Sequence, residues 1–266
     1  MDITAVLSAS LLLLALGALF SALIGFLSTK FTVERDSRLD EIESLLSGAN
    51  CGTCGYAGCQ AFAEAVYQGK AKVTDCPSTS PNNKRRINEI MGINESVGEK
   101  TYAIVHCNGG NACRDKYDYQ GYGDCRTAEM LAGGRKKCYT GCIGLATCVD
   151  KCPYFAIEVG ENGYAEVKRP SCTSCGLCIS NCPKSIIGRI RASARVYCAC
   201  SNHNKGKEVR DVCPKGCIAC GVCAKVCPEG AITMVDNLPL FDYDKCTACM
   251  LCVEKCPTKV IKEIKD

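Results

Sequence analysis

The run C-x-x-C-x-x-C-x-x-x-C-P occurs three times in this 266-residue chain: Cys172 to Pro183, Cys217 to Pro228 and Cys246 to Pro257. Thiols spaced so tightly cannot all enter unstrained disulfides. They suit an inorganic core instead. Three close cysteines wrap one iron–sulfur cube, and the fourth, placed before proline, ligates the neighbouring cube. Such clusters take up and release single electrons, so the chain reads first as an electron relay.

The 26 cysteines would suggest a disulfide scaffold only in a short secreted chain. Here reduced thiolates point to the cytoplasmic side of a membrane or another reducing compartment. There is no Trp and there are only 6 Phe, so clusters are expected to take the place of an aromatic core, with folding coupled to their insertion. The formal charge of +4 counts cysteines as neutral. An oxidised cube with four thiolates carries about −2, and five or six of them make the loaded protein acidic. The Lys and Arg excess is therefore no nucleic-acid surface.

Residues Ile3 to Thr29 carry no charge and are long enough to span a bilayer as a helix. Interspersed Ala, Gly and Ser suit packing against other membrane helices. A cleaved signal peptide would need a basic start and a shorter apolar stretch, whereas this chain begins Met1-Asp2. Lys30, Arg35 and Arg38 follow the span, which places the N-terminus outside and the bulk of the chain in the cytoplasm. Glu34, Asp36 and Asp40 dilute that signal.

Val33 to Leu46 reads as an amphipathic helix with Leu39, Ile42, Leu45 and Leu46 on one face. After a break at Gly48-Ala49-Asn50 comes C-G-T-C-G-Y-A-G-C, ending at Cys76-Pro77. Cys51, Cys54, Cys59 and Cys76 supply four thiolates. Gly52, Gly55 and Gly58 let the backbone approach a cube and turn N–H groups toward its sulfurs. Zinc also takes four cysteines; the glycine density favours iron–sulfur. The run Ala49-Asn50-Cys51-Gly52-x-Cys54-Gly55-Tyr56-x-Gly58-Cys59 with Cys76-Pro77 resembles the small Fe–S domain of Rnf-complex B subunits, corrinoid iron–sulfur proteins and some redox-sensing regulators. Many members have Gly-Gly after the last cysteine, where this chain has Ser78-Thr79-Ser80. Pro77 to Asn83 reads as a polar linker, and Lys84 to Met91 as a short solvated helix.

Cys125, Cys138, Cys142, Cys148 and Cys152 recur 75 residues later as Cys200, Cys213, Cys217, Cys223 and Cys227, and the second run of each set also recurs. This is an internal duplication. In each repeat a hairpin separates two cysteine runs: Ala156 to Val167, turning at Glu161-Asn162-Gly163, and Ala231 to Tyr243, turning near Asp236-Asn237. The layout resembles a two-cluster ferredoxin, and that resemblance implies the ligands. Cys217, Cys220, Cys223 and Cys256 hold one cube, and Cys246, Cys249, Cys252 and Cys227 another. Cys172, Cys175, Cys178 and Cys152 hold a third. In the fourth run Leu145 stands where the second repeat has Cys220. Cys142, Cys148 and Cys182 remain, with Cys138 as the expected replacement ligand or, alternatively, a 3Fe-4S cluster. Cys107, Cys113, Cys125, Cys198, Cys200 and Cys213 are left over. A sixth cluster drawn from them, with Cys125 and Cys200 as duplicated equivalents, would make six 4Fe-4S clusters rather than five.

His106 and His203 are read as surface or supporting residues, and Tyr102, Tyr117, Tyr119 and Tyr122 as packing over a cluster. No phosphate-binding glycine loop and no stretch long enough for a flavin or NAD domain is visible, nor any nucleophile paired with a base. The chain itself is not expected to convert a substrate.

The order of parts, with Gly133-Gly134-x-x-Lys137-Cys138-x-x-Gly141-Cys142 and Asn204-Lys205-Gly206, resembles the B subunit family of the Rnf complex. That family belongs to a membrane-bound ferredoxin:NAD oxidoreductase coupled to Na+ or H+ translocation. The resemblance implies an α+β protein with a transmembrane anchor (1–30), a small 4Fe-4S domain (31–95) and two ferredoxin-like units (96–192 and 193–266). It implies soluble ferredoxin as electron donor, a flavin/NAD-binding subunit and integral membrane subunits as partners, and ion pumping by other subunits. The alternatives are a polyferredoxin relay of another membrane oxidoreductase and a membrane-tethered Fe–S redox sensor, which would need an output domain.

Overall fold

The computed structural model describes residues 3–30 and 36–264. Asp2, Arg35 and the first residues of the helix expected from Val33 lie outside the described residues. The chain falls into two compact units, 1–41 and 42–266.

The first unit is dominated by helix α1 (Ile3–Lys30). Its stretch from Ser10 to Ser28 has a mean hydropathy of 2.4, and at 1.5 Å per residue 28 residues reach about 42 Å, more than a hydrocarbon core of about 30 Å. Leu11, Leu12, Leu13, Leu14 and Leu19 are all exposed, so no single face is apolar. A helix that is apolar all round suits lipid rather than water. Among the described residues it is the one helix long and apolar enough to cross a membrane.

Helix α2 (Ser37–Leu45) runs into the second unit, where it buries Ile42 and Leu45. Helix α3 (Cys59–Tyr67) buries Phe62, Ala63, Ala65 and Val66, and helix α4 (Pro81–Met91) buries Ile87. Helix α4 starts before the expected Lys84 because Ser80 caps it. Its Oγ accepts from Asn83 N at 3.2 Å, and Pro81 fills the first turn, where no N–H is needed.

The first ferredoxin repeat runs β1 (Thr101–Val105), α5 (Cys125–Met130), α6 (Thr147–Asp150), β2 (Ile157–Val159), β3 (Ala165–Val167), α7 (Leu177–Ser180) and β4 (Ile187–Arg191). The second runs β5 (Val196–Cys198), α8 (Gly206–Val212), α9 (Val222–Val226), β6 (Ile232–Val235), β7 (Leu238–Phe241), α10 (Leu251–Glu254) and β8 (Ile261–Glu263). Strands β2–β3 and β6–β7 form the two expected hairpins, and β1–β4 and β5–β8 close each repeat as antiparallel pairs.

The closing pairs fix which residues of the repeats correspond. Val105 faces Ile187, and Cys198 faces Ile261. Ile187 and Ile261 stand at the same place after Cys182 and Cys256. Val105 therefore matches Cys198, and Cys107 matches Cys200. The expected equivalence of Cys125 with Cys200 is corrected. The 75-residue offset holds from Cys138 and Cys213 to Cys152 and Cys227 and becomes 74 in the second run, while the first repeat carries an insertion between Cys107 and Cys138 that contains Cys113 and Cys125. The insertion is pinned by backbone bonds from Lys116 N to Arg135 O at 2.7 Å and Lys137 N to Arg114 O at 2.8 Å. Buried Lys136 pairs with Asp115 at 3.0 Å. Tyr102 packs on the first repeat's core. Tyr117 and Tyr119 instead donate to the carbonyls of Leu131 and Tyr122, and Tyr122 is 78% exposed; these three do not cover a cysteine set.

Cysteines stand among the core residues themselves. Cys142, Cys148, Cys172 and Cys178 pack with Ile157, Ile186 and Ile187 in the first repeat, and Cys217, Cys223, Cys252 and Cys256 pack with Val196, Val260 and Ile261 in the second. Among the described residues Phe62 is the one aromatic of the largest fully buried side chains, and it belongs to the small domain. That domain depends on ordinary packing, with Ile87 fully buried. Ile87→Ala is expected to cost about 2–5 kcal/mol, measured as a lower first unfolding transition by circular dichroism, with the ferredoxin repeats melting as before.

Candidate metal centres

In the small domain, Asn50 takes a positive φ of 46°, and its Oδ1 accepts from Cys59 N at 2.7 Å. Gly58 leaves the room for this: a Cβ there would stand 2.9 Å from that oxygen. The bond holds the Cys51–Cys59 loop closed. Cys51 Sγ lies 3.8 Å from Ser78 Oγ and accepts from Thr53 Oγ1 at 3.5 Å, and Thr79 Oγ1 donates to Cys76 Sγ at 3.2 Å. Burial works to raise the Cys51 pKa, but the bonds from Thr53 and Ser78 together hold it below the ordinary thiol value. Ser78 and Thr79 bring hydroxyl groups to the sulfurs. Lys84 of the expected surface triplet is half-buried near Cys76; burial lowers its pKa while Cys76 and Asp75 oppose the shift.

Cys152, Cys172, Cys175 and Cys178 line one cavity of about 340 Å³ of empty space, mouth included, together with Ala103, Ala156 and Gly176. Backbone N–H groups point at its sulfurs: Ala103 and Ser174 to Cys172 at 3.4 Å, and Ala156 to Cys152 at 3.3 Å. Burial, then the thiols of Cys172, Cys175 and Cys152, push Cys178 up to about 12.

A second cavity of about 350 Å³ is lined by Cys125, Cys142, Cys148 and Cys182. The structure therefore puts Cys125, not Cys138, beside the three thiols left by the change at Leu145. Cys125 opens helix α5, and its N–H donates to Thr147 Oγ1 at 2.7 Å, next to Cys148. Asp124 caps the helix, accepting from Arg126 N at 3.1 Å and Thr127 N at 3.0 Å, from Thr127 Oγ1 at 2.7 Å and from Thr147 Oγ1 at 2.9 Å. The Thr127 bonds lead in holding its carboxyl far below the usual range. Arg126 Nη2 reaches Asn181 Oδ1 at 2.8 Å, next to Cys182. Burial and the thiols of Cys142, Cys125 and Cys182 push Cys148 up to about 12. Cys138 lies in a separate cavity with Cys107, Cys113, Cys200 and Cys213.

In the second repeat, burial and the thiols of Cys217, Cys220 and Cys256 push Cys223 up to about 11. Burial and the thiols of Cys246 and Cys249 do the same for Cys252. Ala231 N donates to Cys227 Sγ at 3.3 Å, matching Ala156 in the first repeat. Cys198 Sγ donates to Cys200 O at 3.8 Å and Cys217 Sγ to Asn237 O at 3.9 Å, and the two neighbouring thiols shift each other in opposite senses, Cys198 upward and Cys217 downward. His106 lines the cavity that also holds Cys138. His106 Nδ1 bonds Cys198 O at 2.8 Å, and His203 Nδ1 pairs with Asp236 Oδ2 at 2.9 Å.

All four ferredoxin runs share one backbone wrap. Two and four residues after the first cysteine the φ angles are positive: Gly144 and Ala146, Ser174 and Gly176, Ala219 and Gly221, Ala248 and Met250. Left-handed conformations at non-glycine residues are costly, and their recurrence shows a loop shaped to curl around a core. The run broken at Leu145 keeps this wrap. Both thiol sets of the first repeat ring cavities, and among the described residues no three His, Cys, Asp or Glu side chains are gathered tightly enough for a single ion. Sulfurs spread around a small-residue cavity, with N–H donors aimed at them, fit an iron–sulfur core.

Comparison with known proteins agrees. Residues 46–78 match the family described as "Putative Fe-S cluster", and residues 216–260 match the "4Fe-4S dicluster domain". The chain is 42% identical over 236 residues to the B subunit of the ion-translocating oxidoreductase complex of Methanosarcina acetivorans, covering 88% of this chain and 89% of that one. It is 40% identical to the B subunit of the Na(+)-translocating ferredoxin:NAD(+) oxidoreductase complex of Acetobacterium woodii, over 86% and 69% of the two chains. It is 35% identical to the B subunit of the proton-translocating ferredoxin:NAD(+) oxidoreductase complex of Clostridium ljungdahlii, over 87% and 82%. The chain belongs to the B subunit family of the Rnf complex. As an Rnf B subunit it is an iron–sulfur electron-transfer component of an oxidoreductase complex, with an apolar N-terminal helix for membrane association.

Sequence reasoning missed the place of Cys125. The signal was present in Asp124-Cys125-x-Thr127, an N-cap pattern, but its partner Thr147 is distant in sequence. Asp124→Ala removes the acceptor that ties α5 to Thr147. It is expected to loosen Cys125, seen as faster iron release to a chelator from this variant than from the parent, with the other sets releasing at the parental rate.

Proposed function

We propose that the B subunit carries at least five 4Fe-4S clusters. Their ligand sets are Cys51, Cys54, Cys59 and Cys76; Cys152, Cys172, Cys175 and Cys178; Cys125, Cys142, Cys148 and Cys182; Cys217, Cys220, Cys223 and Cys256; and Cys227, Cys246, Cys249 and Cys252. The chain accepts electrons from reduced soluble ferredoxin and relays them to the flavin/NAD-binding and integral membrane subunits, which couple the transfer to Na+ or H+ translocation. Helix α1 holds the relay at the membrane, with the cysteine-rich bulk on the cytoplasmic side; Lys30 at the end of the span and the need of cluster ligands for reduced thiols support that side. The small domain, the two ferredoxin repeats and the anchor are separate working parts with boundaries near 30, 95 and 192.

One observation carries this reading: the small domain's set and both sets of the first repeat adjoin one another within a single compact unit. The Cys51 loop meets the Cys175 loop, since a Cβ on Gly176 would stand 3.9 Å from Thr53 Cγ2 and the Cys51 charge reaches Cys175. Cys178 in turn acts on Cys148 of the next set. A cube supplies one-electron exchange when bound. The chain's own residues set the spacing, exclude water and donate the N–H bonds that favour added negative charge on sulfur.

Two measurements test it. Anaerobic mixing of the purified full chain with reduced ferredoxin is expected to bleach its visible absorbance without NAD or other subunits; a chain left oxidised by excess reduced ferredoxin would overturn the assigned donor. Cys125→Ser is expected to convert one cluster to a three-iron centre with its own EPR signal. Cys138→Ser is expected to give no such signal from this set. The reverse outcome would restore Cys138 as the fourth ligand.

A further inference from the structure

Where the small domain meets the first repeat, two cysteine sets share one tyrosine. Tyr154 and Thr173 line the cavity ringed by Cys152, Cys172, Cys175 and Cys178, and Tyr154 packs on the core that contains Cys172 and Cys178. Ser47 comes from the small domain and lies just before Cys51 in the chain. The hydroxyl oxygens of all three residues are buried, and none closes a hydrogen bond among the described residues. A buried hydroxyl left without a partner is destabilising, so three in one place call for an acceptor.

The three belong together. Burial raises the Tyr154 pKa; the hydroxyls of Thr173 and Ser47 lie close enough to oppose the rise, and the thiols of Cys175 and Cys51 close enough to add to it. On its other side Thr173 acts on Cys175, again opposing burial. The backbone agrees: a Cβ on Gly176 would stand 3.9 Å from Thr53 Cγ2, so the loops that carry Cys51 and Cys175 meet here.

Every ferredoxin run has a residue at the position of Tyr154, directly after Cys-Pro: Tyr154, Lys184, Glu229 and Thr258. In the last of these a hydroxyl does meet a ligand sulfur, with Thr258 Oγ1 at 3.8 Å from Cys256 Sγ. Hydroxyls serve sulfurs in the small domain too, from Thr53 to Cys51 at 3.5 Å and from Thr79 to Cys76 at 3.2 Å. Tyrosine, with the longest reach of the four, stands only where the small domain adjoins.

We propose that Tyr154 and Thr173 tune the cluster held by Cys152, Cys172, Cys175 and Cys178: their hydroxyls donate to its sulfurs, and Ser47 of the small domain orients Tyr154. The proposal rests on that ligand set. A hydroxyl aimed at sulfur favours the added electron, as an N–H group does, so this cluster is held at a higher potential than its burial alone would set. The electron goes to the cluster, and the hydroxyl protons stay on oxygen. Because Ser47 belongs to the small domain, the donors are aligned only while that domain is seated. The potential of this cluster is thereby tied to the docking of its neighbour.

The test is a redox titration of the reconstituted full chain followed by EPR, with electron–nuclear double resonance before and after exchange into D2O. Cys175→Ala identifies the signal of this cluster by removing or converting it. Tyr154→Phe keeps the ring and Thr173→Val the shape. Each is expected to move the midpoint of that signal to lower potential and to remove one exchangeable-proton coupling, which loss of packing alone would not do. Thr173→Ser, which keeps the hydroxyl, is expected to restore both, and Ser47→Ala to lower the potential as Tyr154→Phe does. Parental potential and couplings in Tyr154→Phe and Thr173→Val would overturn the tuning and leave the ligand set standing. A shift in Tyr154→Phe with none in Ser47→Ala would overturn the part given to the small domain. Cys175→Ala that alters no signal would sink the ligand set and this inference with it. The comparison of Thr173→Val with Thr173→Ser decides the matter even where Tyr154→Phe does not fold.

Discussion

The demand of an iron–sulfur core for four thiolates arranged around it, within a wall of small residues, governs this structure. Strands here are three to five residues long, and no sheet has more than two among the described residues. Such pairs are marginal by themselves. What persists through every ferredoxin run is the pair of left-handed residues after the first cysteine, at Ala219 and Met250 as much as at Gly144 and Gly176. Those strained turns gain nothing from hydrogen-bonded sheet. They direct N–H groups and sulfurs inward, and metal–thiolate bonding offsets their cost.

Duplication then explains both the regularity and the exception. The run at Cys142 has Leu145 where the other runs have their second cysteine, yet it shares their wrap, because the remaining thiols need the same curvature. A segment without counterpart in the second repeat places Cys125 beside that gap. Its docking is not incidental: Cys125 N, Asp124 and Arg126 bond residues directly before Cys148 and Cys182. Buried Lys184, which follows Cys182 closely, secures the other end of the insertion by bonding Gly133 O at 2.7 Å and pairing with Glu129 at 2.7 Å.

The parts legible in the sequence are those whose signal is local. Spacing alone carried the three intact runs, both hairpins and the apolar span. The Cys51 loop was legible through its glycines. What was not legible depended on contacts across the chain. A constant offset of 75 residues made Cys125 look like Cys200, and only the pairing of β1 with β4 and of β5 with β8 shows that the alignment shifts inside the insertion. Helix α4 was read too short for a local reason, since Ser80-Pro81 is equally a turn signal and a helix start. The tyrosines of the insertion bond loop carbonyls, a role that composition does not distinguish from packing over a core.

Identical motifs need not make identical electron carriers. Cys172, Cys175 and Cys178 are buried, whereas Cys220 and Cys249, at the same place in the runs of the second repeat as Cys175, are exposed. Adding an electron to a negatively charged core costs more where water is excluded, and hydrogen bonds to sulfur lower that cost. The Cys172 set meets burial with two N–H bonds on one sulfur. The small domain meets it with hydroxyls, from Thr53 to Cys51 and from Thr79 to Cys76. In the second repeat, the exposure of Cys220 and Cys249 and the N–H bond from Ala231 to Cys227 take that part. Burial and donor count therefore differ from set to set along a series built largely from one repeated motif.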